Sequence, residues 1–228
     1  VYDENGWPSG FTGGKLLENE DFRARFLEYS VGEFDKTAFA VFIADDKKGF
    51  RRVENYVDGV NEYHNIYLRV SPANTDILNP AVTDAFIKET HEKYYARFKE
   101  YFGKELIGFF TDEPQYYRYK TPYSSVAETE FRLSGENIKD GLIWLFMHDE
   151  RGYAFREKYY KTLNKLYVEN FYKKLYEWCG AHNCKLTGHS VEESSLFAQM
   201  WGGAAVMPSY EYEDIPGIDW LGRFCGSD

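Results

Sequence analysis

One short apolar stretch, Leu106–Thr111, constrains the fold more than any other feature of the sequence. Its six residues are almost wholly apolar and show no alternation, which is typical of a strand buried on both faces of a parallel sheet. Asp112, Glu113 and Pro114 follow at once, and the proline ends the strand. The pattern therefore predicts a buried strand whose carboxyl end carries two acids.

Two more strand-like segments follow, and each leads into polar residues. Lys185–Thr187 leads into Gly188 and His189, and residues 204–207 lead into a Tyr-Glu-Tyr segment. Helical patterns cover about 136–147, about 151–180 and some ten residues from Glu193, so strands and helices alternate. Such alternation predicts parallel βα units. A closed barrel and an open doubly wound sheet both place ligands at the carboxyl ends of strands, so alternation alone does not choose between them. The absence of G-x-G-x-x-G makes a nucleotide-binding sheet less favoured.

The first half of the chain shows a different pattern. Residues 19–30 carry apolar side chains at helical spacing, and residues near 33–71 predict a small antiparallel β excursion. A long helix is expected from Asn79 to about Tyr101, with Pro80 in its first turn. The opening residues, up to Asp3, have the pattern of a strand end. No linker divides the chain, so we treat 1–228 as one domain or part of one.

Composition excludes several classes of function. The net charge of −10 argues against nucleic acid and against anionic lipid surfaces as partners. Aromatic residues make up 19% of the chain, and much of this content belongs to a Tyr- and Phe-rich core, but rings beside carboxylates are also what a carbohydrate site needs. Three cysteines give no complete disulfide framework, and C-x2-H-x-C lacks a second ligand pair, so no metal site is predicted. No apolar run reaches transmembrane length, and the compartment stays open.

Glu113 is the strongest catalytic candidate in the sequence. A carboxyl at the end of a buried strand can be partly desolvated, which favours the protonated form that a glycosidase acid needs. Asp112 beside it is predicted to bind substrate or to orient a neighbour through a hydrogen bond. The alternative for such acids is a cap or an ion pair in a loop.

Three more clusters are predicted to line the same pocket. The first contains His189 and Glu193, although one of Glu192 and Glu193 can instead cap the following helix. The second contains Tyr210 and Glu211, with the aromatic rings on one side of an extended chain and the acids on the other. A solvated loop is the preferred interpretation for Glu213 rather than for Glu211. The third cluster consists of three residues in the opening loop: Asp3, Glu4 and Trp7.

Other reaction classes lack their motifs. The sequence has no G-x-S-x-G for serine hydrolysis, no H-E-x-x-H and no P-loop. His91 stands on the long helix without a second histidine at the required spacing, so we interpret it as a packed residue.

Four motifs in this order resemble a known group of bacterial glycoside hydrolases. The resemblance extends from Tyr2 to about Leu221 and is to the α-L-rhamnosidases of glycoside hydrolase family 106 and their uncharacterised relatives. The motifs are Y-D-E-N-G-W-P-S-G-F-T-G-G, I-G-F-F-T-D-E-P-Q, W-C-G-A-H-N-C-K-L-T-G-H with E-S-S-L-F-A-Q after it, and Y-E-Y-E-D-I-P-G-I-D-W-L.

The resemblance implies an α/β fold, a (β/α)8 TIM-type barrel of which this chain holds about strands 2 to 6, within a longer protein. It implies hydrolysis of a glycosidic bond, in α-L-rhamnosides or a related plant or microbial glycan, with Glu113 as the general acid.

Glu193 matches the family's acid before S-L-x-x-Q, and the second carboxylate is Glu193, Glu211 or a residue beyond Asp228. The resemblance also implies calcium as a cofactor, which the sequence itself does not require. The expected partners are a carbohydrate and the remainder of the parent polypeptide. The alternatives are a non-catalytic carbohydrate-binding barrel and a fragment that is inactive alone.

Overall fold

The protein is represented by a computed structural model that describes residues 8–116 and 120–219, where the strands form two sheets. In chain order the strands are β1 (Arg23–Gly32), β2 (Ala40–Asp45), β3 (Gly49–Val53), β4 (Tyr63–Thr75), β5 (Gly108–Asp112), β6 (Thr121–Tyr123), β7 (Lys185–His189) and β8 (Ile215–Pro216). The α-helices are α1 (Pro80–Glu89), α2 (His91–Phe98), α3 (Ser125–Leu133), α4 (Tyr153–Tyr167), α5 (Lys173–Ala181) and α6 (Leu196–Gly202). Short 3-10 helices at Thr12–Glu18, Glu20–Phe22, Lys99–Tyr101, Ile138–Leu145, Glu150–Gly152 and Ser209–Tyr212 join these elements.

The larger sheet is antiparallel and has the strand order β3-β2-β4-β1-β6. β1 and β4 form its longest pairing, from Arg25 opposite Val70 to Gly32 opposite Tyr63. The helix predicted for residues 19–30 is therefore wrong from Arg23 onward. Charged and apolar residues alternate from Arg23 to Phe26, a period of two that fits a strand with one buried face. Pairing with β4 from Tyr63 to Val70 then satisfies the backbone groups along one edge of β1.

The smaller sheet is parallel and has the order β5-β7-β8. β5 and β7 pair over five residues, from Gly108 opposite Lys185 to Asp112 opposite His189. A Cβ atom on Gly188 would lie 2.2 Å from the backbone oxygen of Thr111, so the two strands can approach this closely only with glycine there. The predicted strands at 106–111 and 185–187 are thus confirmed as parallel neighbours.

A long helical run supports the smaller sheet. α4, a π-helical segment Val168–Tyr172 and α5 continue one another without interruption. Buried side chains of this run share the main core with Phe109 of β5; they include Leu163, Phe171 and Leu175. Cys179, on the same run, and Cys184 are both buried. Among the helices of the described residues, none is long and apolar enough to cross a membrane.

The long helix predicted from Asn79 is present but is interrupted. Asn79 caps α1 by accepting a hydrogen bond from the backbone N–H of Ala81, as the Asn-Pro start indicated. The run breaks at Thr90, whose hydroxyl donates to the backbone oxygen of Phe86. His91, at the start of α2, is fully buried and stacks on Phe109 with ring centroids 4.4 Å apart. Burial lowers the pKa of His91 to about 3.

The (β/α)8 barrel prediction is wrong for the part of the chain that the structure describes. Five of the eight strands form an antiparallel sheet, and only β5, β7 and β8 are parallel. The predicted antiparallel β excursion is present but is larger than predicted. It extends from β1 to β4 and also includes β6. The strand expected at 204–207 is also absent, and a turn followed by the 3-10 helix Ser209–Tyr212 takes its place. The parallel strand comes later, as the two residues of β8.

Candidate functional site

The carboxyl ends of β5 and β7 bring Asp112 and His189 into direct contact. The two residues are partners across the parallel pairing, and His189 Nε2 lies 2.9 Å from Asp112 Oδ1. The imidazole is almost buried, and its Nδ1 lies 3.3 Å from the backbone oxygen of Ser190. A histidine held at both ring nitrogens has a fixed orientation. Asp112 and His189 therefore form a preorganised polar pair at the edge of the sheet.

Glu113 follows this pair in an unusual backbone conformation. Its φ is +47°, in the left-handed region that non-glycine residues adopt at a cost of about 1–3 kcal/mol. The backbone N–H donates to the oxygen of His189 at 3.2 Å, and the backbone oxygen accepts from Gln115 Nε2 at 3.3 Å. These bonds hold Glu113 at the rim with a half-buried side chain. Strain of this kind, fixed by surrounding bonds, is characteristic of functional positions.

Glu193 organises the loop that follows β7. Its Oε1 accepts from the backbone N–H of Ser190 at 3.0 Å, and its Oε2 accepts from that of Asp219 at 3.2 Å. The carboxylate thus joins the β7 loop to the segment after β8. Its neighbour Glu192 also has a positive φ, of +57°.

One ligand atom from each of Glu113, His189 and Asp219 can be chosen so that all three lie within 4.8 Å of one another. Two carboxylate oxygens and an imidazole nitrogen do not fit calcium well, because calcium takes six to eight oxygen ligands. The shortest contact of His189 is moreover to Asp112. The described residues therefore supply no calcium cage, and the chemistry below is derived without a metal.

Glu213 is a functional candidate that sequence reasoning missed. Its side chain is only 6% exposed, and within the described residues neither carboxyl oxygen makes a hydrogen bond. Burial raises its pKa to about 7, and the charge of Glu193 adds to this. The backbone N–H of Gly217 and the ring of His189 act in the opposite direction, although the Gly217 N–H does not reach hydrogen-bonding geometry. Glu213 is thus a buried carboxyl beneath the strand-end cluster.

Glu213 is buried and Glu211 is exposed, the reverse of the sequence prediction, and the cause is geometric. An extended chain would place both acids on one side, but residues 209–212 form a 3-10 helix instead. Glu211 is consequently exposed, and Glu213, just after the helix, turns inward. The assignment of Glu213 to a solvated loop is wrong. Tyr210 lies near the cluster as predicted, since its hydroxyl donates to the oxygen of Gly217 at 3.3 Å and its pKa is raised by burial and by Glu193.

Buried hydroxyl groups support the two strand-end loops from below. The hydroxyl of Tyr167 donates to the backbone oxygen of Pro114 and lies 3.4 Å from that of Tyr172. Tyr172 in turn lies 3.1 Å from the hydroxyl of Ser190. This chain of contacts ties the loop after β5 to the loop after β7 through the long helical run. Both hydroxyl groups are committed to it, and burial raises the pKa of each tyrosine, with a smaller contribution from the charge of Glu213.

The opening loop reaches the same edge at its described end. The backbone N–H of Ser9 donates to the oxygen of Asp112 at 2.9 Å, and the N–H of Asp112 donates to Ser9 Oγ at 2.7 Å. Ser9 is a site-positioning residue that the sequence marked only as part of a turn. Asp3, Glu4 and Trp7, predicted to bind substrate, lie outside the described residues. Of the other predicted site residues, the structure gathers Asp112, Glu113, His189, Glu193 and Tyr210.

Comparison with known proteins finds a distant structural likeness. No family model matches the chain, and no curated protein matches it. Among solved structures, it is similar to a rhamnosidase from Novosphingobium sp. PP1Y, with 14% identity and a TM-score of 0.47. The likeness covers 73% of this chain and 17% of the rhamnosidase, so the chain spans less than a fifth of that protein's length. A likeness at this level establishes neither the fold nor the activity of this chain.

Proposed function

We propose that this chain provides the acid side of a glycoside hydrolase active site, with Glu113 as the general acid. The observation that carries the proposal is the strand-end cluster. Glu113 is held there in a strained conformation, with its carboxylate within 4.8 Å of ligand atoms of His189 and Asp219. A carboxyl fixed at an open rim beside further acids is the arrangement that protonation of a glycosidic oxygen requires.

The neighbouring residues have distinct proposed roles. Asp112 holds His189 through their 2.9 Å contact, and the fixed imidazole ring forms a rigid wall of the site beside Glu113. Tyr210 adds an aromatic side chain near the cluster.

A glycosidase needs a second carboxylate, and the geometry favours Glu193 over Glu211. Glu193 is joined to Asp219 of the cluster by a hydrogen bond, whereas the side chain of Glu211 is exposed. In this proposal Glu193 acts on water or on the anomeric carbon from the opposite side of the sugar ring. The substrate class, α-L-rhamnosides or related glycosides, rests on the four sequence motifs that resemble family 106.

The proposal is tested by Glu113→Gln in the full-length protein, assayed on a series of aryl α-L-rhamnosides. We expect kcat to fall at least about 100-fold, and to fall most for substrates with poor leaving groups, because these depend most on protonation. Glu211→Gln is the matched control and should retain activity. Equal turnover by Glu113→Gln and the parent across the series would contradict the assignment. Sugar binding without turnover in both proteins would instead support a non-catalytic carbohydrate-binding protein.

A further inference from the structure

A second concave surface lies on α6, the helix that follows the Glu193 loop. It is a groove of about 830 Å³, which is within the range of ligand-binding clefts. One side is formed by β1 and by the segment that leads into β6, where Leu27 pairs with Thr121. The other side is formed by α6. Neither Asp112, Glu113 nor His189 lines this groove.

The α6 side of the groove presents exposed aromatic rings. Phe197 and Trp201 are four residues apart and therefore lie on the same helix face. Their centroids are 5.6 Å apart in an edge-to-face arrangement, yet Phe197 is 72% exposed and Trp201 is 49% exposed. Large aromatic side chains left this open beside a cleft mark a binding surface.

The opposite side combines rings with charged groups. Tyr29 and Phe146 stack with centroids 5.2 Å apart, and both line the groove. Lys120 and Glu28 also line it and form an ion pair at 3.6 Å. Flat apolar rings accommodate the C–H faces of pyranose units, and the charged pair offers a donor and an acceptor to hydroxyl groups. An acyl chain would have to bury this charged pair without new partners.

The groove and the strand-end cluster share α6 as a common element. Gln199 Nε2 donates to the backbone oxygen of Glu193 at 3.3 Å. The backbone N–H of Tyr116, three residues after Glu113, donates to the oxygen of Gly202 at 3.0 Å. Both loops of the cluster are therefore attached to the helix that carries Phe197 and Trp201.

We propose that this groove is a subsite for the chain of the glycan, which holds sugar units beyond the one at Glu113. This inference rests on the proposed function, because it takes the ligand class from it. The ligand is an oligosaccharide of neutral sugars whose rings lie against Phe197 and Trp201.

The test is calorimetric binding of α-linked oligorhamnosides of one to six units, with methyl α-L-rhamnoside as the shortest ligand. The full-length protein carries Glu113→Gln to prevent turnover. We expect affinity to rise at least tenfold with chain length, and Trp201→Ala and Phe197→Ala to remove that gain while leaving the affinity for the monosaccharide unchanged. Leu196→Ala is the matched control, because Leu196 is exposed on the same helix but does not line the groove.

Several outcomes would overturn the inference. Affinity independent of chain length, no binding by any member of the series, or a length-dependent gain that survives both aromatic substitutions would each do so. Self-association of the protein that Trp201→Ala abolishes would assign the groove to a protein contact instead. Length-dependent binding together with an active Glu113→Gln enzyme would preserve the subsite and overturn only the role of Glu113, so the two proposals fail separately.

Discussion

Glu213 shows how a single side chain can govern the response of this protein to pH. Its carboxyl is buried without a hydrogen bond from the described residues, so the charged form is disfavoured and the pKa rises to about 7. A carboxyl retained in such a place lowers stability whenever it ionises.

We therefore expect the contribution of Glu213 to stability to fall as the pH rises. The folded state holds the Glu213 proton up to about pH 7, whereas an unfolded glutamate releases it near its ordinary pKa of 4.5. The stabilising contribution is complete below that ordinary value and is lost by about pH 7, with an upper bound of about 3 kcal/mol.

Glu213→Gln removes this titration. Melting temperatures measured from pH 4 to 8 should fall less steeply with pH than those of the parent, and the variant should be the more stable protein at pH 8. Glu211→Gln, with its exposed side chain, should follow the parent curve. Parallel curves for Glu213→Gln and the parent would rule out a buried titrating carboxyl at this position.

At the scale of elements, the pairing of β5 with β7 determines the site. The two strands place Asp112 opposite His189, and the close approach at Gly188 makes that pairing possible. The strands, rather than the loops, thus set the distance between the two side chains.

Gly188→Ala should disturb stability and site together. The added Cβ atom would lie 2.2 Å from a backbone oxygen of β5, so the strands must separate. We expect a loss of about 2–4 kcal/mol of unfolding free energy, as for other severe overpacking, and a loss of activity. Gly180→Ala is the control, because a Cβ atom there meets nothing within 4 Å, and helical alanine is favoured over glycine. Urea denaturation measures the unfolding free energy of both variants. Equal midpoints for Gly188→Ala and Gly180→Ala would contradict this account.

Local patterns predicted the parts of the fold that depend on local chemistry. The apolar run before Asp112 and the Asn-Pro helix start were informative because burial and capping leave direct traces in sequence. β1 was mistaken for a helix because Phe22, Phe26 and Leu27 have helical spacing, and its partner β4 is some forty residues away. The inward turn of Glu213 depends on a 3-10 helix that no local signal announced. The barrel was inferred from resemblance, and sheet order is a property of long-range pairing that spacing does not encode.

At the scale of the whole molecule, the smaller sheet has an open side. Within the described residues β8 pairs only with β7, and Ile215 and Ile218 beside it are exposed. Unpaired edges with apolar side chains favour association with another chain or another segment.

We expect the 228-residue chain, produced alone, to associate as its concentration rises. Ile215→Lys with Ile218→Lys should reduce this association, because charge on an edge opposes strand pairing. Sedimentation velocity over a hundredfold concentration range measures it. The matched control is Leu133→Lys, a charge placed on an exposed apolar residue at the end of α3. A chain that stays monomeric throughout, or that responds equally to both sets of substitutions, would show that this edge does not drive association.

The π-helical segment between α4 and α5 determines which face α5 turns to the core and therefore where β7 begins. A π segment holds one residue more than the α-helical turn it replaces, so residues 168–172 wound as a regular α-helix would rotate α5 by about 100° relative to α4. The rotation would turn Leu175 and Cys179 off the core, and β7 begins only four residues after α5 ends. The π segment thus absorbs one residue and keeps the helical phase on which the placement of the strand that carries His189 depends. A one-residue deletion within 168–172 should therefore preserve that phase, whereas a one-residue deletion within α4 should rotate α5 and displace the strand.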